Sequence, residues 1–179
     1  MLARSAGVTE PVIYQHFESK DDLYHEVLRE GCRRTILEWE KIAAERASPL
    51  AAVIEIARAQ FRINELWVYY KIHVRAISES GGEAVAEILS NNYEQYHAFL
   101  SDLLLQAQEK KEIAKNVRVS DIAWFLLSQG LMINVSKQIG MSKLEQSGYV
   151  EHFMVQGVLF GLAQGDAAAI SGRRSTNQD

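Results

Sequence analysis

Proline is almost absent from this sequence: Pro11 and Pro49 are the only two in 179 residues. Both follow a residue suited to cap a helix, Thr9 and Ser48, and both fall in the first turn, where a missing amide costs nothing. A chain with so few breakers is free to be helical nearly throughout, and its apolar residues keep to that rhythm. Tyr24, Leu28, Cys32, Ile36, Trp39 and Ala43 recur at steps of three and four behind Ser19, which is placed to cap with Asp21 and Asp22 in the first turn. Leu50, Val53, Ile54, Ala57 and Phe61 form the next stripe. The segment 67–74 has a β-branched and aromatic content that suits a strand, but no turn or partner strand flanks it, so helix is expected.

Ser80, Gly81, Gly82 and Glu83 break the chain and offer another capping box. The long helix after them carries Val85, Ile88, Tyr93, Tyr96, Leu100, Leu103 and Ala107, and fades into the charged run 109–112, which reads as a solvated helix end. Two helices follow that are apolar nearly all round, from about Ser120 to Ile139 and from about Tyr149 to Ala163. A helix apolar on every side must be covered on every side. Two such helices at the end of a modest chain are expected to meet the same pair in a second copy, through Phe125, Leu131, Met132, Phe153, Met154, Gly157, Val158, Phe160 and Gly161. Gly157, Gly161 and Gly165 put a shallow groove on the last helix, for packing either within one subunit or between two. The tail 165–179 is polar, unpatterned and expected to be disordered.

Several classes of function are disfavoured. A single cysteine, Cys32, leaves no internal disulfide framework. No run approaches 18 apolar residues and no signal-peptide pattern opens the chain, so a soluble cytoplasmic protein without membrane contact is expected. The five histidines show no metal-ligand spacing, no glycine-rich phosphate loop follows a strand, and no nucleophile has a recognisable catalytic setting. Neither an enzyme nor a metal or cofactor is expected. The net charge of −4 and a pI near 5.8 weigh against nucleic acid as a partner.

The first two dozen residues oppose that last inference. Ala3, Gly7 and Ile13 have the spacing of a helix-turn-helix: a small residue where two helices touch, a glycine in the turn, and an apolar anchor on the second helix. The stretch from Ala6 through Gly7, Val8, Thr9, Tyr14, Phe17, Ser19 and Lys20 to Tyr24 resembles the DNA-binding signature of the TetR family of transcriptional regulators. The resemblance covers about twenty residues nearly without a gap; the remainder resembles the family in architecture alone. It implies an all-α chain with a helix-turn-helix domain at 1–46, including the start of a connecting helix, a helical effector-binding and dimerisation domain at 47–164, and the tail.

On that reading the recognition helix aims its amides and the Thr9 hydroxyl at phosphate, with Pro11 in its first turn. Tyr14 lies one turn beyond Glu10 and Pro11, so its hydroxyl reaches phosphate while its ring meets a thymine methyl. His16 and Lys20 are further phosphate donors. Gln15 suits adenine and Glu10 suits cytosine N4. Residues 1–34 hold five basic side chains against six acidic ones, so binding must rest on a few placed contacts without a broad basic field. The family also has a full helix ahead of the motif. Its absence before Met1 leads us to expect a start internal to a longer reading frame, and weaker DNA affinity for the chain as given.

The resemblance further implies a small-molecule effector held among the later helices. Trp67, Tyr70, His73, Tyr93, Tyr96, His97, Trp124 and Asn134 are the amphipathic or polar groups on otherwise apolar helices and are the candidate lining. Together these features point to a homodimeric regulator, a repressor released by a ligand, on a palindromic double-stranded DNA operator. The alternative is a dimeric helical ligand-binding protein whose DNA-binding domain is disabled. A third possibility is that the terminal helices bind a different protein.

Overall fold

The computed structural model describes residues 16–60, 66–78 and 82–141, together with Gly148 and His152. Among them are five helices: α1 (Lys20–Ala44), α2 (Pro49–Ala59), α3 (Trp67–Ser78), α4 (Gly82–Glu109) and α5 (Val119–Gln138). No described residue is in a strand, and the segment 67–74 is helical. No helix among the described residues is long and apolar enough to cross a membrane. The expected last helix and the tail lie outside the described residues, as do Phe153, Met154, Gly157, Val158, Phe160 and Gly161.

Capping chemistry fixes where the first two helices begin. The Ser19 hydroxyl accepts the Asp22 N–H at 3.0 Å, and the Asp22 carboxylate accepts the Glu18 N–H at 3.1 Å. Ser48 accepts the Ala51 N–H at 3.1 Å with Pro49 behind it at the helix start. The charged run at the end of α4 does more than meet solvent. Lys111 takes a left-handed conformation, φ 60°, and the Glu112 N–H donates back to Ala107 at 2.8 Å. The Glu112 carboxylate then accepts the Leu50 N–H at 2.9 Å, satisfying a second orphan amide at the start of α2. Gln108 ties down the loop that follows, donating to the carbonyls of Ala114 and Val117. Gly140 ends α5 at φ 74°, where the Met141 N–H donates back to Ser136.

α4 is the central member and touches α1, α2, α3 and α5. The larger apolar cluster joins Trp39 and Ile42 of α1, the inner side of α2, Leu100, Leu103, Leu104 and Ala107 of α4, and Ala123, Leu126 and Leu127 of α5. A smaller one joins Leu28, Ala76, Val85, Ile88 and Leu89. The buried side of α1 is Leu28, Gly31, Cys32, Thr35, Trp39 and Ile42. Ile36 and Ala43, expected on that stripe, are half-buried at its margin. Between the two clusters α1 and α4 are cross-braced by a buried polar group: the Asn92 amide donates to the Leu28 carbonyl at 3.1 Å.

α5 is less uniformly buried than its composition suggests. Met132 and Trp124 are exposed, Phe125 is half-buried against the larger cluster, and Leu131 is half-buried toward the interior. Phe125 and Leu131, expected at a dimer interface, are thus engaged at least in part within the subunit.

Leu104 has no exposed surface in the larger cluster. Leu104→Ala should cost about 3 kcal/mol, from lost burial and the cavity left behind. Urea denaturation at fixed protein concentration should show it as a lowered midpoint with an unchanged slope.

Candidate functional site

The two clusters do not close on each other. All five helices contribute to the walls of a cavity between them. The space between the walls measures about 840 Å³ when counted out to the open mouth.

α1 supplies Leu28, Cys32, Thr35 and Trp39, and Gly31 sets the approach of the opposite wall. A Cβ on Gly31 would stand 3.1 Å from Tyr69 Cβ and 3.2 Å from its ring, tighter than side chains ordinarily approach, so glycine here eases the packing of α3 against α1. That proximity brings Tyr69, Tyr70 and His73 of α3 to the wall. Gly130 of α5 faces the Gln60 carboxamide, whose Oε1 lies 3.6 Å from where a Cβ would be, an ordinary contact distance. Val53, Ile56 and Ala57 of α2 and Leu126, Leu127 and Ile133 of α5 make up the apolar remainder, with Leu100 of α4.

The polar groups of the wall are paired and neutral. His73 Nε2 lies 3.2 Å from the Tyr93 hydroxyl, with the rings edge-to-face at 5.3 Å. Burial lowers the His73 pKa to about 4, so the imidazole is uncharged at neutral pH. Tyr93, Tyr96, Trp39 and Phe99 continue the aromatic row at 5.3–6.0 Å between successive centroids. The Thr35 hydroxyl donates to the Gly31 carbonyl at 2.8 Å, which leaves its oxygen as an acceptor beside the hydroxyls of Tyr70 and Tyr96. Burial raises the pKa of Tyr70, Tyr93, Tyr96 and Cys32, the Tyr96 hydroxyl most strongly. Asn134 differs: its Oδ1 is buried and has no hydrogen-bond partner.

Of the eight candidate lining residues, Tyr70, His73, Tyr93, Tyr96 and Asn134 meet in this cavity. Trp67, His97 and Trp124 do not, because each is held elsewhere. Trp67 lies between the ammonium groups of Lys71 and Lys137, 5.4 and 5.5 Å from its ring. His97 stacks on Trp124 at 4.5 Å and meets the Ser120 hydroxyl at 3.0 Å, at the start of α5. Cys32, Thr35 and Gln60 line the cavity and were not among the candidates.

Of the DNA-contact candidates, Lys20 is the first residue of α1, and both Lys20 and His16 are exposed. Thr9, Glu10, Pro11, Tyr14 and Gln15 lie outside the described residues. Along the outer side of α1, Glu30 binds Arg33 at 2.7 Å and Arg34 at 2.6 Å, and the two guanidinium groups lower its pKa to about 2. Arg34 also covers the Tyr69 ring at 5.5 Å.

Residues 1–27 match the family described as bacterial regulatory proteins, tetR family. No curated protein matches the sequence significantly. Among solved structures the fold is shared with Salmonella enterica GusR, at TM-score 0.70 and 22% identity over 90% of this chain and 82% of that one. It is shared as well with a Rhodococcus sp. protein assigned to the TetR-family transcriptional regulators, at TM-score 0.69 and 16% identity over 86% and 83%. The ketosteroid transcriptional regulator KstR2 of Mycobacterium tuberculosis aligns at TM-score 0.58 and 20% identity over 90% and 82%.

The buried imidazole gives the site a pH signature. A histidine whose folded pKa lies below its unfolded value of about 6.5 contributes stability that is complete above 6.5 and is lost as pH falls toward 4. Lowering the pH from 7 to 5 should cost roughly 1–2 kcal/mol through His73 alone. His73→Gln should remove most of that slope in urea midpoints measured across the interval. A slope equal to that of the unsubstituted protein would show that the imidazole is not buried neutral.

Proposed function

We propose that this chain is a transcriptional regulator of the TetR family, a ligand-responsive repressor that binds a palindromic operator as a homodimer; the match of residues 1–27 and the shared fold support the reading. One observation carries the reading. α1 is a single unbroken helix whose first residues belong to the segment matching the family and whose middle forms a wall of the cavity. Val27 closes the matched segment and opens the cavity wall. A molecule in the cavity therefore bears on the same rigid element that leaves the DNA-binding motif.

Operator recognition on this reading uses the amides and side chains of the recognition helix, Thr9, Glu10, Pro11, Tyr14, Gln15 and His16, with Lys20 as a phosphate anchor at the next helix. Lys20 is suited to that role by its exposure at the start of α1. Two-fold pairing falls to α5, whose Trp124 and Met132 are exposed eight residues apart on one side of the helix, and to the segment that follows it.

Duplexes selected from a random pool should yield a palindromic site. Against that site Lys20→Ala and Tyr14→Phe should each weaken binding about tenfold. Lys20→Ala should also reduce the slope of log affinity against log salt by about 1. Unchanged affinity in both variants would refute the contact assignment, and failure to select any duplex would favour a ligand-binding protein without an operator. A second measurement addresses the dimer. Met132→Glu combined with Trp124→Glu should convert it to a monomer in sedimentation equilibrium. A dimer unaffected by both charges would move the interface off this side of α5.

A further inference from the structure

Among the described residues that line the cavity there is no Asp, Glu, Lys or Arg. Its hydroxyls are turned to one another, Tyr93 toward His73, and Tyr70 and Tyr96 toward Thr35. A carboxylate or ammonium entering this space would leave its hydration behind and find no counter-ion, a cost that buried ions do not recover from neutral dipoles alone. The imidazole of His73 does not supply the missing charge, since it stays neutral at the pH of the cell.

One group in the wall does ask for a partner. Asn134 lines the cavity, and its Oδ1 is buried with no hydrogen bond to the protein. A turn of the carboxamide about its Cβ–Cγ bond therefore sacrifices no hydrogen bond made by that oxygen, and it brings a donor and an acceptor toward the space. A carbonyl on the ligand would satisfy only the amide N–H side. A hydroxyl both donates and accepts, and so answers either edge. The rest of the surface is aliphatic or aromatic, with Trp39, Tyr93 and Tyr96 packed against one another at tilted or edge-on angles to form one continuous aromatic wall.

We propose that the effector is an uncharged, mostly apolar ring compound bearing a hydroxyl group that donates to Asn134. This rests on the reading of the cavity as an effector site, and it names the chemical class that site selects. The oxygen that is unpaired in the empty protein becomes paired in the complex, while the ring displaces water from aromatic and aliphatic walls.

Two matched series test the class by isothermal titration calorimetry at pH 7: 2-naphthol, naphthalene and 2-naphthoate, then 4-propylphenol, propylbenzene and 4-propylbenzoate. In at least one series the alcohol should bind about tenfold tighter than its hydrocarbon, and the carboxylate at least about a hundredfold more weakly than the alcohol. Asn134→Leu should abolish the difference between alcohol and hydrocarbon while leaving hydrocarbon affinity within about threefold, which also reports that the cavity is intact. Carboxylates binding as tightly as the alcohols would overturn the uncharged class and leave the effector site standing. Equal affinity for alcohol and hydrocarbon, or a preference that survives Asn134→Leu, would overturn the role of the hydroxyl. Absence of binding by all six compounds would remove both this inference and the effector reading.

Discussion

The contact between Gly31 and Tyr69 governs how the cavity is built. Because α1 has no side chain at that point, α3 brings Tyr69 close over Gly31, within 3.1–3.2 Å of where a Cβ would stand. With α3 at that spacing Tyr70 stands beside Thr35 of α1, and His73 meets Tyr93 of α4, so α3 is matched to two neighbouring helices through side-chain polar groups. The same approach leaves a face of the Tyr69 ring to Arg34, which is itself held by Glu30. A side chain at 31 would press on Tyr69, and α3 or the Tyr69 ring would have to give by a few tenths of an ångström to admit it.

Much of the helical framework was legible in the sequence, because capping residues and apolar periodicity are local properties. Ser19 and Ser48 start their helices as their side-chain chemistry requires, and the 67–74 segment is helical despite its β-branched content. The rotation of α1 was less legible. Apolarity favours Ile36 over Thr35 and gives no weight to Gly31, yet Thr35 and Gly31 are buried and Ile36 is marginal. Threonine can go inside because its hydroxyl bonds the carbonyl one turn back, which cancels most of the cost of burial. Small residues at 31, 32 and 35, flanked by large ones, were the available sign of a wall.

The aromatic candidates divide for a reason that no spacing reveals. Tyr70, His73, Tyr93 and Tyr96 turn inward because their polar atoms find partners on neighbouring helices. His97 and Trp124 have the same chemistry, but Ser120 lies within reach of the imidazole, and the pair settles at the start of α5. Trp67 is drawn to two lysines. Side chains of one type were sorted by the long-range partner each met, and such partners become visible only when the helices are placed. Glu112 illustrates the same point, since a residue in a charged run became the second cap of a helix sixty residues earlier.

On the proposed reading of the cavity as an effector site, little motion is needed. From Thr35 at the cavity to Lys20 at its start, α1 spans about 22 Å at 1.5 Å per residue. A tilt of about 5° at the cavity would shift that end by about 2 Å, enough to carry a phosphate hydrogen bond from roughly 2.9 Å to well beyond its useful range. The coupling available is no larger than the difference in ligand affinity between the two positions of α1, typically 1–3 kcal/mol in such systems. Pairing one buried amide oxygen and filling one apolar space lie on that scale. The opposing term is the cross-brace from Asn92 to the Leu28 carbonyl, which ties α1 to α4 within the same stretch of wall. On the proposed reading, whether a bound molecule moves α1 is decided by its competition with this brace, the Thr35–Tyr96 contact and the packing around them, and a molecule that merely occupies the space without straining them would bind silently.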